Sequence, residues 1–120
     1  IAYTRDFSRY QPVLAEWQFR VGDFGRLRLE PQDFVYADPP YDVPFTRYAR
    51  DAFTWDDQAR LARALAGHPG PVILVNQATP RVEALYRDLG YALRFADAPR
   101  RINCTGDRRP AREILATRNL

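Results

Sequence analysis

The densest chemistry in this chain of 120 residues sits in four consecutive positions, Asp38-Pro39-Pro40-Tyr41. Consecutive prolines fix φ and donate no amide hydrogen, so their segment stays extended and its carbonyls remain free acceptors. Asp38 places a carboxylate in front of them and Tyr41 a flat ring behind. A rigid cluster of acceptors beside a stacking platform suits a planar ring that bears an exocyclic amino group. The plain alternative is a stiff turn leaving a strand. Context favours the chemistry, because the apolar run Phe34-Val-Tyr-Ala37 directly precedes the motif and reads as a buried parallel strand. In open α/β sheets, ligands bind at the carboxyl ends of the strands. Asn76 stands at a second such end, after Pro71-Val-Ile-Leu-Val75.

The elements that must hold these residues follow from periodicity. Residues 1–16 mix aromatics with charges and are left unassigned, as coil or a fragment of helix. Trp17-Gln-Phe-Arg-Val21 alternates apolar and polar and reads as a strand ending at Gly22-Asp23. Thr54 is placed as an N-cap, with Asp56 and Asp57 in the first turn. Ala59, Leu61, Ala62, Leu65 and Ala66 then recur at helical spacing up to Gly67. Residues 71–75 form the next buried strand. Thr79 and Pro80 open a second helix that carries Val82, Leu85, Tyr86 and Leu89 to Gly90. Tyr91–Phe95 and Glu113–Thr117 are the last strand candidates. This order predicts an α/β fold with a mostly parallel sheet and an antiparallel final strand.

Composition bounds the function classes. A chain 46% hydrophobic and 28% charged is globular, and no apolar run approaches the ~20 residues of a membrane span. No membrane partner is expected. The lone Cys104 excludes an internal disulfide and fits a reducing compartment, so a cytoplasmic location is expected. With one His (His68) and one Cys, no metal set is expected. His68 reads as a loop residue, and Trp17 and Trp55 as core or packing residues. The net charge of +3 is uneven. Residues 1–97 hold twelve Arg against thirteen Asp and Glu, whereas 98–120 hold six Arg against Asp107 and Glu113. That basic end suggests a polyanion-facing surface, with a solvated loop as the bland alternative.

At this point the sequence resembles a known family. Asp33-Phe-Val-Tyr-Ala-Asp-Pro-Pro-Tyr41 is similar to the catalytic motif of Dam-type (D12 class) DNA adenine-N6 methyltransferases, which use S-adenosylmethionine. The likeness runs on in the family's order. Phe53-Thr54, Gln58, Leu61-Ala62 and Leu65 resemble the helix after the catalytic loop. Ile73-Leu-Val-Asn76 resembles the next strand, with Val75 where the family usually has Ser. Arg100-Arg-Ile-Asn-Cys-Thr-Gly106 with Arg108 and Arg109 resembles an Arg-rich block, and Glu113-Ile-Leu-Ala-Thr117 with Asn119 the closing strand. Cys104 falls within that block and is read as structural. Upstream, Val21-Gly-Asp-Phe24 resembles a strand end that contacts the cofactor's adenine.

The resemblance implies a Rossmann-like S-adenosylmethionine-dependent methyltransferase fold, of which residues 17–120 would be the catalytic and C-terminal part. It implies catalysis by Asp38, Pro39, Pro40 and Tyr41 on an adenine flipped from double-stranded DNA. Asp23, Phe24 and Asp38 would contact S-adenosylmethionine, and Arg100, Arg101, Arg108 and Arg109, with Arg112 nearby, would meet phosphate. The family's Phe-x-Gly-x-Gly-type cofactor turn and its target-recognition region are not found in these residues, and there is no Met. The expectation is therefore a piece of a larger domain, partnered by a missing N-terminal part and inactive alone. Its central strands would lie elsewhere, leaving the strand before Asp38 with an open apolar edge. Two other classes stay open: an RNA or protein amino-group methyltransferase with a related Pro-Pro-Tyr motif, and a non-catalytic remnant that binds DNA through its arginines.

Overall fold

The computed structural model describes residues 7–42, 53–98 and 111–120. A 3-10 turn at Ser8–Tyr10 runs into the short helix α1 (Gln11–Leu14), and a second 3-10 turn covers Phe24–Arg26. The ordered centre is built from β1 (Val35–Ala37), α2 (Trp55–Ala66), β2 (Val72–Gln77), α3 (Pro80–Asp88), β3 (Ala92–Ala98) and β4 (Ala111–Arg118). It is a mixed α/β arrangement with one four-stranded sheet in the order β1-β2-β4-β3.

Both long helices begin and end where their sequence dictates. Thr54 caps α2 in a reciprocal box: its hydroxyl accepts from the Asp57 amide at 3.2 Å, and the Asp57 carboxylate accepts from the Thr54 amide at 3.0 Å. Gly67 ends that helix. Thr79 caps α3, with Pro80 in the first turn, where its missing N–H has no intrahelical partner to lose. Gly90 follows α3 at φ +77°, a left-handed conformation in which any side chain would be strained.

β1 and β2 run parallel, joined through α2, and β4 pairs antiparallel with both β2 and β3. Three strands therefore share one direction, and the final strand runs against them, inserted between its neighbours. The core lies between sheet and helices: Ala62 and Leu65 of α2, Val82 and Tyr86 of α3, Val72 and Leu74 of β2, and Ile114 and Ala116 of β4. Tyr91 joins it, and its hydroxyl donates to the Ala62 carbonyl at 2.8 Å. Burial raises the Tyr91 phenol well above its ordinary range, so it stays a neutral donor.

Three expectations are corrected. Residues 17–21 form no strand, and Val21 is fully exposed. Alternation selects a face, but a strand also needs a neighbour for its N–H and C=O groups, and none of the described residues provides one. Trp17 is not a core residue. It is 60% exposed, with the Phe19 ring 6.0 Å away. The strand before Asp38 is parallel as expected but not fully buried, since Phe34 and Tyr36 are both more than half exposed. Among the described residues β1 is the end strand of the sheet and pairs on one side only, with β2. Trp55, in contrast, packs against the core. Among the described residues no helix is long and apolar enough to cross a membrane, and no group of three His, Cys, Asp or Glu is placed to hold a metal.

Candidate active site

Asp38 leaves the carboxyl end of β1, and Asn76 lies near the carboxyl end of the neighbouring β2. Because the two strands are parallel, both ends open on the same side of the sheet. Pro39 is buried, while Asp38 and Pro40 are exposed and Tyr41 is half-buried. The Asp38 carboxylate and the Pro39 carbonyl accept no hydrogen bond from any described residue. Among the described residues, nothing competes with a ligand's donors for either acceptor.

The Pro40 carbonyl is already used. Gln58 of α2 donates to it from Nε2 at 2.6 Å. Gln58 in turn accepts from Asn76 Nδ2 at 2.9 Å, and the same Asn76 nitrogen lies 3.3 Å from the Tyr86 hydroxyl. Asn76 Oδ1 accepts from the Asp42 amide at 3.0 Å and from the Gln77 amide at 2.9 Å. Asn76 has no solvent exposure and Gln58 almost none. Buried polar groups of this kind are tolerated only when satisfied, and here each finds a partner. The network ties the backbone on both sides of Tyr41 to β2 and α2. Burial pushes the Tyr86 phenol up to about 12, so it is neutral wherever the chain is folded near pH 7.

Tyr41 itself is perturbed. Partial burial, then the nearby carboxylates of Glu113 and Asp38, then Tyr36, raise its phenol above the ordinary range. Its ring is thus held uncharged beside the acceptors. Glu113 reaches this end of the sheet because it opposes Gln77 in the β2–β4 ladder.

Asp23 and Phe24 lie next to the motif. With Gly22, Pro40, Phe53, Asp57 and Arg60 they line a hollow of about 360 Å³. Phe24 also borders a larger apolar groove of about 660 Å³ that runs past β1 to Asp38 and Pro39. The structure therefore brings Asp23-Phe24 and Asp38-Pro-Pro together. A ring face, a carboxylate and a proline wall suit the adenine half of a nucleoside. One residue stands in the way. Arg60 binds the two Asp23 oxygens at 2.8 Å each and lays its guanidinium over the Phe24 ring at 4.0 Å. Asp57, at 3.0 Å, is a second carboxylate to which Arg60 stays bound if Asp23 is taken up by a ligand.

The Arg60–Asp23 pair makes its own prediction. Arg60, followed by the Gly25 amide, depresses the Asp23 carboxyl to about 2. A carboxyl group with a lowered folded-state pKa contributes stability above its ordinary 3.8, and that contribution is lost as pH falls through about 2. Carboxyl-carbon NMR is expected to show Asp23 titrating near 2, and Arg60→Ala to return it toward 3.8. An unchanged midpoint in the variant contradicts the pairing.

Arg100, Arg101, Arg108 and Arg109 lie outside the described residues, as does Cys104. Arg112 is described: it is exposed on β4 and stacks over the Phe95 ring at 4.1 Å. His68 is a loop residue as expected, but a buried one, donating from Nε2 to the Asp33 carbonyl at 2.8 Å. Sequence reasoning gave no role to Asp42, Arg60, Arg81 or Glu113, and Gln58 entered only through resemblance. For Gln58 a signal existed: it occupies the same helical stripe as Ala62 and Leu65, where an unpaired polar side chain is out of place.

The D12 class N6 adenine-specific DNA methyltransferase family matches residues 4–97, which includes most of the lead-in left unassigned above. The chain is 40% identical over 94 residues to the retron Ec67 DNA adenine methylase of Escherichia coli, covering 73% of this chain and 32% of that protein. It is 40% identical over 78 residues to the type II methyltransferase M1.LlaDCHI of Lactococcus lactis subsp. cremoris, covering 56% and 27%. It is 36% identical over 99 residues to a DNA adenine methylase of Vibrio cholerae, covering 74% and 35%. The chain spans about a third of the length of these relatives. With the family model matched over residues 4–97, well more than half its length, the chain belongs to the D12 class N6 adenine-specific DNA methyltransferases.

Proposed function

We propose that this chain forms the target-base side of a site that methylates adenine N6 in double-stranded DNA, with S-adenosylmethionine as donor. The observation that carries the reading is a pair of acceptors that no described residue occupies, the Asp38 carboxylate and the Pro39 carbonyl, fixed beside Tyr41 at the end of β1. The N6 lone pair of adenine is delocalised into the ring and is a poor nucleophile. Hydrogen bonds from N6 to two acceptors favour a tetrahedral nitrogen with a localised lone pair, and that is what Asp38 and Pro39 supply. Positioning and electrostatics then account for most of the rate gain. Tyr41 stacks on the base, which must leave the duplex for its amino group to meet both acceptors while its face meets the ring.

S-adenosylmethionine supplies an electrophilic methyl group when bound. Phe24 and Asp23 would hold the adenine ring of that molecule, and Asp38 would contact it as well. Arg60 would then share or release Asp23 while its bond to Asp57 keeps it paired. The sheet corresponds to one end of a Rossmann-like methyltransferase fold, and the outer edge of β1 is where the other strands of such a fold join, supplied by the rest of the protein. Arg100, Arg101, Arg108 and Arg109 contact phosphate and position the duplex without reading it. The names of the relatives favour DNA over RNA or a protein side chain. The deciding experiment detects N6-methyladenine in a duplex after incubation with the full-length protein and the methyl donor.

A further inference from the structure

We propose that Asp42 and Arg81 form a positioning clamp that fixes Tyr41 for the base, a role resting on the methyltransferase reading above. Asp42 follows Tyr41 directly. Its side chain is 8% exposed, although it is charged, and both carboxylate oxygens are engaged. Arg81 grips it with two nitrogens, Nε at 2.5 Å and Nη2 in a still closer contact, the forked geometry that Arg makes with a carboxylate. The Thr79 hydroxyl donates to the same carboxylate at 3.1 Å while accepting from the Val82 amide at 3.3 Å as the cap of α3. The Arg81 guanidinium also stacks over Trp55, the first residue of α2, at 4.5 Å. One acidic side chain thereby joins the loop after the motif to the beginnings of both α2 and α3.

The clamp is more than generic packing because of where it acts. On the near side of Tyr41 the Pro40 carbonyl is held by Gln58, and on the far side the Asp42 amide is held by Asn76. The backbone network fixes the path of the chain through Tyr41. The Asp42 side chain keeps that path from peeling away from α3. Arg81 sits more than half exposed, so its removal opens no cavity, yet it leaves a nearly buried carboxylate without its main counter-charge. Asp42 then has reason to swing out toward water and carry Tyr41 with it. Asp38 and Pro39, held by β1, stay where they are. The loss falls on the step that uses the tyrosine ring and not on duplex binding.

The test uses Arg81→Ala and Arg81→Lys in the full-length protein. Methyl transfer to duplex DNA in a single turnover is expected to fall roughly 10–100-fold in Arg81→Ala, the scale of a 1 Å misplacement of a catalytic group. Duplex affinity is expected to stay within about threefold, since non-base contacts dominate it. Lysine keeps the charge without the fork, and its rate is expected between the two. An Asp42 amide that exchanges with solvent at least about tenfold faster in Arg81→Ala, by NMR, reports the freed loop independently of activity. Unchanged exchange at Asp42 overturns the clamp, whether or not the protein methylates DNA. A wild-type rate in Arg81→Ala overturns its role in catalysis. Absence of methyl transfer in the wild type sinks the functional reading, and the exchange measurement still decides the clamp.

Discussion

Replacing Asp38 with alanine is expected to lower methyl transfer to duplex DNA roughly 10²–10³-fold, the usual cost of deleting one preorganised group that stabilises developing charge. The carboxylate is exposed and bonded to no described residue, so it contributes little to the fold. Its removal should therefore leave the thermal midpoint and the duplex affinity nearly unchanged, in line with other surface substitutions. Asp38→Asn is a sharper variant. It keeps the shape and one acceptor oxygen but loses the charge, so its rate is expected between those of wild type and alanine. Tritiated-methyl incorporation under single-turnover conditions reads the step directly. Equal rates for Asp38→Ala and wild type contradict the assignment of this carboxylate to the target amino group.

Asn76→Ala is expected to have the opposite profile, a large loss of stability together with a loss of activity. Asn76 is wholly buried and serves Gln58, Tyr86, Asp42 and Gln77 at once. Alanine leaves several of these groups without a partner, and each unsatisfied buried group is costly. The expected destabilisation is about 2–4 kcal/mol, visible as a lower urea midpoint at an unchanged slope. Asn76→Asp is expected to be no better, because it replaces the donor to Gln58 with a buried charge. The rate of methyl transfer falls as well, since the backbone around Tyr41 loses its anchor on β2. A destabilisation below about 0.5 kcal/mol would show that the network is incidental.

Much of the architecture was legible in the chain because it depends on local rules. Thr54 with Asp57, and Thr79 with Pro80, mark helix starts whatever the surroundings, and Gly67 and Gly90 mark the stops. Residues 71–75 are too short and too β-branched to be anything but a strand once helices flank them. The failures share a cause. Trp17–Val21 has the right alternation for a strand, but pairing is a property of the neighbours, and periodicity carries no information about them. The same holds for the exposed faces of Phe34 and Tyr36. Within the site, the motif Asp38-Pro-Pro-Tyr41 declared itself through its own stiffness. Its supports did not, because they are distant in sequence: Asp42 meets Arg81, and Asp23 meets Arg60, across more than thirty residues each. Only Gln58 carried a local hint, a polar residue on an apolar stripe.

The Arg60 contact also shapes expectations about the donor. A guanidinium that pairs with a carboxylate and covers an aromatic ring occupies the contacts that the adenine of the donor would need. Arg60 has Asp57 one helical turn away as a second partner, so Arg60 itself keeps a counter-charge if Asp23 turns to a ligand. Both groups are solvent-accessible, which keeps the contact weak enough to yield.

On the proposed reading, the acceptors at Asp38 and Pro39 serve an adenine amino group in DNA. Mass spectrometry of nucleosides from a duplex treated with the full-length protein and S-adenosylmethionine tests it most directly, with structured RNA and a glutamine-containing peptide treated in parallel. N6-methyladenine is expected in the duplex and is expected to be lost in Asp38→Ala, with no methylated guanine in the RNA or methylated glutamine in the peptide. Methyl groups appearing only in the RNA or the peptide, or N6-methyladenine undiminished by Asp38→Ala, would contradict it.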